Sequence, residues 1–339
     1  MKKVIVAMSG GVDSSISAAL LKKQGFFVIG AYMILSDLKE SREAKKRAKQ
    51  VAKLLNIPFL IWDLRKEFKR IIIKGFLKEY QAGKTPNPCV ICNKEIKFGL
   101  FLKKALSLKS DYIATGHYAR IKKNKIVRLY QGKDKEKDQS YFLWQLNQKQ
   151  LKKVIFPLGG YTKKEVKEIA RKLDLPVFDQ KESQEICFIS KTTEQFLKKN
   201  LKLKPGKIID EGGEEIGEHQ GLALYTIGQR KGIRLSGGPY YVLLKDLKNN
   251  YLVVTKKEKD LYRKQLIAKN INWVSSIKPK MPIGVKVKIR YRHKSVPATV
   301  SFKKGRYLVV FKKPERAVTS GQSVVFYKKQ ELLGGGIIC

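Results

Sequence analysis

Two short strings hold side chains whose types and spacing can do chemistry. The first is Ser9-Gly10-Gly11-Val12-Asp13-Ser14-Ser15, which follows an apolar run and opens a segment of helical spacing. Glycines let a backbone approach an anion closely. The N–H groups at a helix start then point at it, helped by the helix dipole. Ser9, Ser14 and Ser15 would add hydroxyl donors, and Asp13 makes sense as the holder of a Mg²⁺ that bridges to phosphate oxygens. The spacing is neither that of a Walker loop nor that of a dinucleotide-binding G-x-G-x-x-G. The second string is Thr85-Pro86-Asn87-Pro88-Cys89-Val90-Ile91-Cys92. Its prolines restrict a loop, and a helix is expected to begin near Asn93. The helix dipole, with Lys94 and Lys97 nearby, would favour the thiolate form of these cysteines. Cys187, in 182–189, is a third thiol. Two chemistries fit. In one, a thiolate pair carries sulfur and is regenerated by disulfide exchange. In the other, Cys89, Cys92 and Cys187 hold an iron–sulfur cluster. Zinc needs four ligands. Cys339 lies at the far C-terminus and none of the 3 histidines falls beside the cysteines, so zinc is disfavoured and Cys339 reads as a bystander.

These strings need a frame to hold them. Residues 2–8, 26–34, 57–64 and 112–117 are short apolar runs that read as buried strands. Between them lie helical patterns at 13–24 and 38–55, the latter with Ala44, Ala48, Val51, Ala52 and Leu55 on one face. Strands alternating with helices predict a parallel sheet with helices on both faces. A later helix, 162–173, carries a capping box from Thr162 to Glu165, with Val166, Ile169, Ala170 and Leu173 facing the core. After about residue 203 glycines and short alternating runs take over, among them GLALYTIG, YYVLL, YLVVT and RYLVVF. The fold class is thus an α/β N-terminal domain followed by two small antiparallel β domains. The expected divisions are 1–202, 203–268 and 269–339. In 285–290, Val285, Val287 and Ile289 would face a core while Lys286, Lys288 and Arg290 form a cationic stripe suited to phosphate contacts.

The 339 residues carry 72 Lys+Arg against 29 Asp+Glu, a net charge of 72 − 29 = +43. That favours a polyanionic partner, nucleic acid first. The lysines are spread along the chain and not gathered in one amphipathic helix, which argues against a membrane surface. No apolar run is long enough to span a bilayer, and residues 1–8 read as a strand and not as a signal peptide. A cytoplasmic location with reduced thiols is expected.

The Ser9–Ser15 loop resembles the PP-loop of the ATP pyrophosphatases, which cleave ATP to AMP and pyrophosphate. Argininosuccinate synthetase, GMP synthetase and several tRNA modifiers share it, so the loop implies the reaction type and leaves the substrate open. TPNPCVICNKEIKF (85–98), ATGHYAR (114–120), KDQSYFL (137–143), ESQEICF (182–188), GLALYTIGQRKG (221–232), RYRH (290–293) and SGQ (320–322) follow in that order. Together they resemble the bacterial tRNA-specific 2-thiouridylases over essentially the whole chain.

That resemblance implies ATP, with Mg²⁺, bound by Ala7, Met8, Ser9, Gly10, Gly11, Val12, Asp13 and Ser14, with Met33 and Gly116 completing the pocket. It implies adenylation of the 2-oxygen of the wobble uridine. Cys187 would then receive sulfur as a persulfide, and Cys92 would be the nucleophile that helps deliver it. Asn87, Pro88 and Cys89 would touch the flipped target base. His117, Lys137, Asp138, Gln139, Arg290, Tyr291 and Gln322 would contact tRNA. The family pattern has an aspartate, proposed as a general acid/base, where this chain has Cys89. A thiol near its ordinary pKa copies that poorly. The change also creates the set Cys89, Cys92 and Cys187 that in related tRNA thiolases holds a [4Fe–4S] cluster. A protein sulfur donor, either a cysteine desulfurase or a sulfur relay protein, and a monomeric state are expected. Two rival readings are a small-molecule ATP-pyrophosphatase ligase and a non-catalytic RNA-binding protein.

Overall fold

The computed structural model describes residues 1–177 and 186–339. Strand β1 (Lys3–Ala7), helix α1 (Val12–Lys23), β2 (Phe27–Ile34), α2 (Lys39–Leu54) and β3 (Phe59–Asp63) open the chain. A long helix follows, made of α3 (Arg65–Phe68), a π-wound stretch Lys69–Ile73 and α4 (Lys74–Gln81). A second long helix joins α5 (Pro88–Ile91) through π-wound Cys92–Leu100 to α6 (Phe101–Ser107). Next come β4 (Tyr112–Ala114), the hairpin β5 (Ala119–Lys123) and β6 (Val127–Gln131), α7 (Gln148–Lys152), β7 (Val154–Ile155), α8 (Lys163–Lys172) and α9 (Thr193–Asn200).

The sheet order is β3-β2-β1-β4-β7, and every pair is parallel. Alternation along β1 explains why both faces are covered. Val4 and Val6 join one core with Ile16, Ala48, Val51 and Val166 from α1, α2 and α8. Ile5 and Ala7 join the other with Phe101, Leu102 and Ala105 from α6. A parallel strand buried on both faces has to be apolar at every position, and Val4, Ile5 and Val6 are fully buried. The capping box at Thr162 and Glu165 is present. Val166 and Ala170 face the core as expected, but Leu173 is 46% exposed because the helix ends at Lys172. The fourth strand also stops early, at Ala114, since Thr115–His117 turn into the site.

The second unit is a four-stranded sheet of β8 (Gly206–Ile209), β9 (Glu215–His219), β10 (Tyr241–Asp246) and β11 (Tyr251–Thr255), in the order β10-β11-β8-β9. It is not wholly antiparallel: Leu252 and Val253 of β11 pair in parallel with Ile208 and Ile209. GLALYTIG is no strand either. Its Leu222–Leu224 form a single 3-10 turn.

The third unit is a closed antiparallel barrel of β12 (Tyr262–Trp273), β13 (Ile283–Lys288), β14 (Val296–Lys303), β15 (Arg306–Arg316), β16 (Ser323–Lys328) and β17 (Glu331–Ile338), sealed by the pairing of β12 with β17. The hairpin β5–β6 of the first unit adds two strands to it, with Leu129 and Tyr130 paired to Leu332 and Glu331. The first and third units therefore share a sheet. Of the expected cationic stripe on β13, only Lys286 is exposed. Lys288 turns to the buried Asp138, and Arg290 donates to the Arg316 carbonyl at 2.9 Å.

Candidate active site

The glycine loop leaves the carboxyl end of β1 where the neighbouring strands, β2 and β4, lie on opposite sides. In open α/β sheets that switch point is where ligands bind. Gly10 has φ +76, and a Cβ there would lie 2.2 Å from the Ala44 carbonyl oxygen, so only glycine fits. Gly11 is the N-cap of α1 and caps with no side chain, leaving the helix N–H groups open. Gly116, just past β4, presses its backbone on the start of α1. A Cβ there would meet Asp13 C and Ser14 N, each at 2.9 Å.

The hydroxyls behave differently from the expectation. Ser14 Oγ and Ser15 Oγ both donate to the Gly11 carbonyl at 3.0 Å, and Ser14 Oγ accepts from Ser9 N at 3.0 Å. Both residues are buried, so their hydroxyls brace the loop. Only Ser9 presents its side chain to solvent. Asp13 is equally committed. Lys163 Nζ lies 2.7 and 2.9 Å from its two oxygens, and Tyr118 donates to Oδ1 at 2.7 Å. On the other flank Arg47 Nε donates to the Gly10 carbonyl at 3.2 Å. Lys163, Tyr118 and Arg47 were invisible in the sequence. Lys163 is 150 residues from Asp13, and no local pattern joins them. Ala7 and Met8 are buried at the strand end, Val12 is buried on α1, and Met33 is half-buried near the end of β2.

The helix bearing the cysteines starts at Pro88, earlier than expected, because proline suits the first helical position. Cys89 thus lies in the first turn and Cys92 in the second. The expected thiolate bias is overturned. Burial pushes the Cys92 thiol up to about 12, and Lys97 opposes this only in part. Burial also raises Cys89 and Cys187, although both reach solvent at part of their surface. Desolvation therefore outweighs the dipole at these thiols. After burial, charge on Cys187 or Cys89 also raises the Cys92 thiol, and charge on Cys89 raises that of Cys187. Cys187 also acts on the hydroxyl of Tyr32 in β2, as does Arg47, the residue bonded to the glycine loop. Among the described residues no three His, Cys, Asp or Glu side chains form a metal-holding group. Cys89, Cys92 and Cys187 are therefore not gathered as a metal-holding set among the described residues. Residues 182–185 of the Cys187 motif lie outside the described residues.

The remaining expected residues fall into two groups. Asn87 bonds the Tyr141 hydroxyl, and Pro88 is buried at the start of α5. Gln139 and Lys137 are half-buried on the turn after β6. Tyr291 packs against Phe142 with ring centroids 4.4 Å apart and the planes tilted by 43°. Others turn inward. Asp138 is 2% exposed and takes hydrogen bonds from Gly132 N, Ser140 N, Ser140 Oγ and Gln131 Nε2. His117 is buried against Thr115 Oγ1 at 2.7 Å, and burial holds its pKa well below 6.5. Gln322 donates to the Thr85 carbonyl at 2.7 Å, just ahead of the cysteine loop.

Three family descriptions cover the chain in turn. A tRNA methyl transferase HUP domain matches residues 2–191, a tRNA methyl transferase PRC-barrel domain 194–256, and an aminomethyltransferase beta-barrel domain 263–338. The tRNA-specific 2-thiouridylase MnmA of Natranaerobius thermophilus is 44% identical over 358 residues, 99% of this chain and 97% of that one. MnmA 2 of Thermoanaerobacter sp. (strain X514) is 46% identical over 355 residues, with coverages of 99% and 97%. The Syntrophomonas wolfei enzyme of the same name is 44% identical over 341 residues, 99% of each chain. A full-length match at this level, with family descriptions covering all three units in turn, places the chain in the tRNA-specific 2-thiouridylase (MnmA) family.

Proposed function

We infer that this protein is an ATP-dependent tRNA-uridine 2-sulfurtransferase acting on the wobble uridine. The observation that carries the reading is the full-length match to tRNA-specific 2-thiouridylases of a chain that has both a glycine loop at the switch point of its sheet and the thiols Cys89, Cys92 and Cys187. A site that joins a phosphate loop to paired thiols suits thiolation. A small-molecule ligase leaves those thiols without a use.

The chemistry follows from the weakness of the substrate carbonyl. The uridine 2-oxygen attacks the α-phosphate of ATP, and pyrophosphate leaves. The oxygen is now part of an AMP leaving group. The terminal sulfur of a Cys187 persulfide attacks C2, and AMP departs with the C–O electron pair. Cys92 thiolate attacks the inner sulfur of Cys187, and the S–S electron pair stays on the uridine sulfur. A Cys92–Cys187 disulfide remains, which an external dithiol reduces. The persulfide sulfur comes from a protein donor. Cys92, near 12 at rest, must lose its proton in this step, and Lys97 is the cation placed to favour that.

Asn87, Pro88 and Cys89 are proposed to meet the flipped base. Lys137, Gln139 and Tyr291 are proposed to meet the RNA, with Arg290, Gln322, Asp138 and His117 holding that surface from behind. ATP enters with Mg²⁺, for which Asp13 supplies the hard oxygen donor. The divisions near 202 and 268, a monomeric state and a cytoplasmic location are part of the same proposal. No helix among the described residues is long and apolar enough to cross a membrane.

The test is 2-thiouridine formation in a tRNA transcript supplied with ATP and a persulfide donor. Cys92→Ala and Cys187→Ala should each abolish it. Full activity in Cys187→Ala with a protein donor would sink the persulfide route. ATP–pyrophosphate exchange without RNA would instead favour a small-molecule ligase.

A further inference from the structure

The nucleotide site, as read above, has an electrostatic gap. A triphosphate brings several negative charges to a loop whose own charged side chain, Asp13, is also negative. Ser14 and Ser15 spend their hydroxyl protons on the Gly11 carbonyl, so they neutralise nothing. Helix N–H groups contribute partial charges only. Two full cations reach the loop from other elements: Arg47 of α2 is bonded to the Gly10 carbonyl, and the second sits on the loop's carboxylate. Lys163, the first residue of α8, is 8% exposed, and its ammonium sits on both Asp13 oxygens.

Its position is built and not incidental. Thr162 and Glu165 form the capping box that fixes the start of α8. Lys163 N donates to Asp134 Oδ2 at 2.9 Å, which pins the backbone on the far side. A lysine buried this far loses much hydration and needs an anion at all times. Asp13 supplies one here. Tyr118 bonds the same carboxylate, so Asp13 keeps a partner if the ammonium departs.

We propose that Lys163 is a phosphate-binding residue of the nucleotide site, which exchanges its pairing with Asp13 for the phosphate oxygens of ATP. The exchange swaps one anion for another, so the buried ammonium is never left unpaired. It also frees the Asp13 carboxylate for the divalent cation that accompanies the nucleotide. The flexible stem and compact charge of lysine suit such a move, whereas the planar fork of arginine suits a fixed pair. The proposal rests on the ATP-dependent reading of the site.

Equilibrium binding of ATP, inorganic pyrophosphate and adenosine tests it, with thermal unfolding of each variant as the folding control. Lys163→Met should weaken ATP and pyrophosphate by about tenfold or more, as expected for a lost charge-assisted contact, and leave adenosine within about twofold. Lys163→Arg should recover part of the loss. Asp13→Asn, measured in a chelator, should tighten ATP binding, because the lysine no longer has a competing carboxylate. Unchanged ATP affinity in Lys163→Met overturns the assignment, and so does an equal loss of ATP and adenosine, which would mark a structural role. If Lys163→Met fails to fold, Asp13→Asn decides: ATP affinity unchanged or weaker without divalent cation overturns the exchange. Wild-type protein that binds no ATP removes the functional reading itself, which sets that failure apart from the failure of Lys163 alone.

Discussion

Cys92 shows how one residue's surroundings can reverse a rule of thumb. Its place near a helix start favours the thiolate, but burial wins and raises the thiol to about 12. The neutral form is therefore the one the fold favours. A folded pKa raised above the unfolded value contributes stability that is fully present below the unfolded pKa and is lost as pH rises toward about 12. Cys92→Ala should flatten the alkaline limb of the unfolding profile, and a limb identical to wild type would mean the thiol is not desolvated. Lys97→Gln should slow alkylation of Cys92 severalfold at pH 8, since the one attraction that opposes burial is removed. Asp138 makes a parallel case. Its buried carboxylate accepts four hydrogen bonds, so Asp138→Ala should cost about 3 kcal/mol, read by denaturant unfolding. A loss of RNA affinity with stability intact would show that the side chain reaches the RNA directly.

At the scale of elements, capping and strand registry set what each side chain can do. Thr162→Ala should cost about 1 kcal/mol of stability through the lost cap. It should also weaken ATP binding if the start of α8 aims Lys163. On β13, alternation alone places Lys286, Lys288 and Arg290 on one face, yet only Lys286 is exposed. Lys288 Nζ is 3.8 Å from Asp138. Lys286→Gln should lower the salt slope of tRNA binding by about one if it meets a phosphate. Lys288→Gln should show its effect mainly in stability. Equal slopes for the two variants would mean that burial does not divide the stripe.

At the scale of the whole molecule, all three units meet at one threonine. Thr85, which leads into the cysteine loop, donates its N–H to the Ser320 carbonyl of the barrel at 2.9 Å and meets Thr226 Oγ1 of the central unit at 3.2 Å. Gln322 closes the same joint from the barrel. Gly321, at φ +89, allows the close approach, as a Cβ there would lie 2.9 Å from that of Lys84. Loosening the joint with Gln322→Ala should lower the thiolation rate more than it lowers ATP affinity, since Gln322 bonds the backbone just ahead of the cysteine loop and makes no bond to the glycine loop. A rate unchanged alongside weaker tRNA binding would make Gln322 an RNA contact.

Local physics made much of this legible in the sequence. Apolar runs at 2–8 and 26–34 could only be strands buried on both faces. Glycines at 10 and 11 before a helical pattern announced an anion site, and Thr162 with Glu165 announced a helix start. Each of these signals acts within one or two turns of chain, which is why a linear reading finds it. The hairpin β5–β6, the sealing pair β12–β17 and the parallel pair β11–β8 depend on partners far along the chain. The same holds for Lys163 on Asp13, Gln322 on Thr85 and the desolvation that keeps Cys92 neutral. Charge, spacing and propensity are properties of the chain. Burial and the pairing of distant groups belong to the packed molecule, and they decided which of the candidate side chains remain free to act.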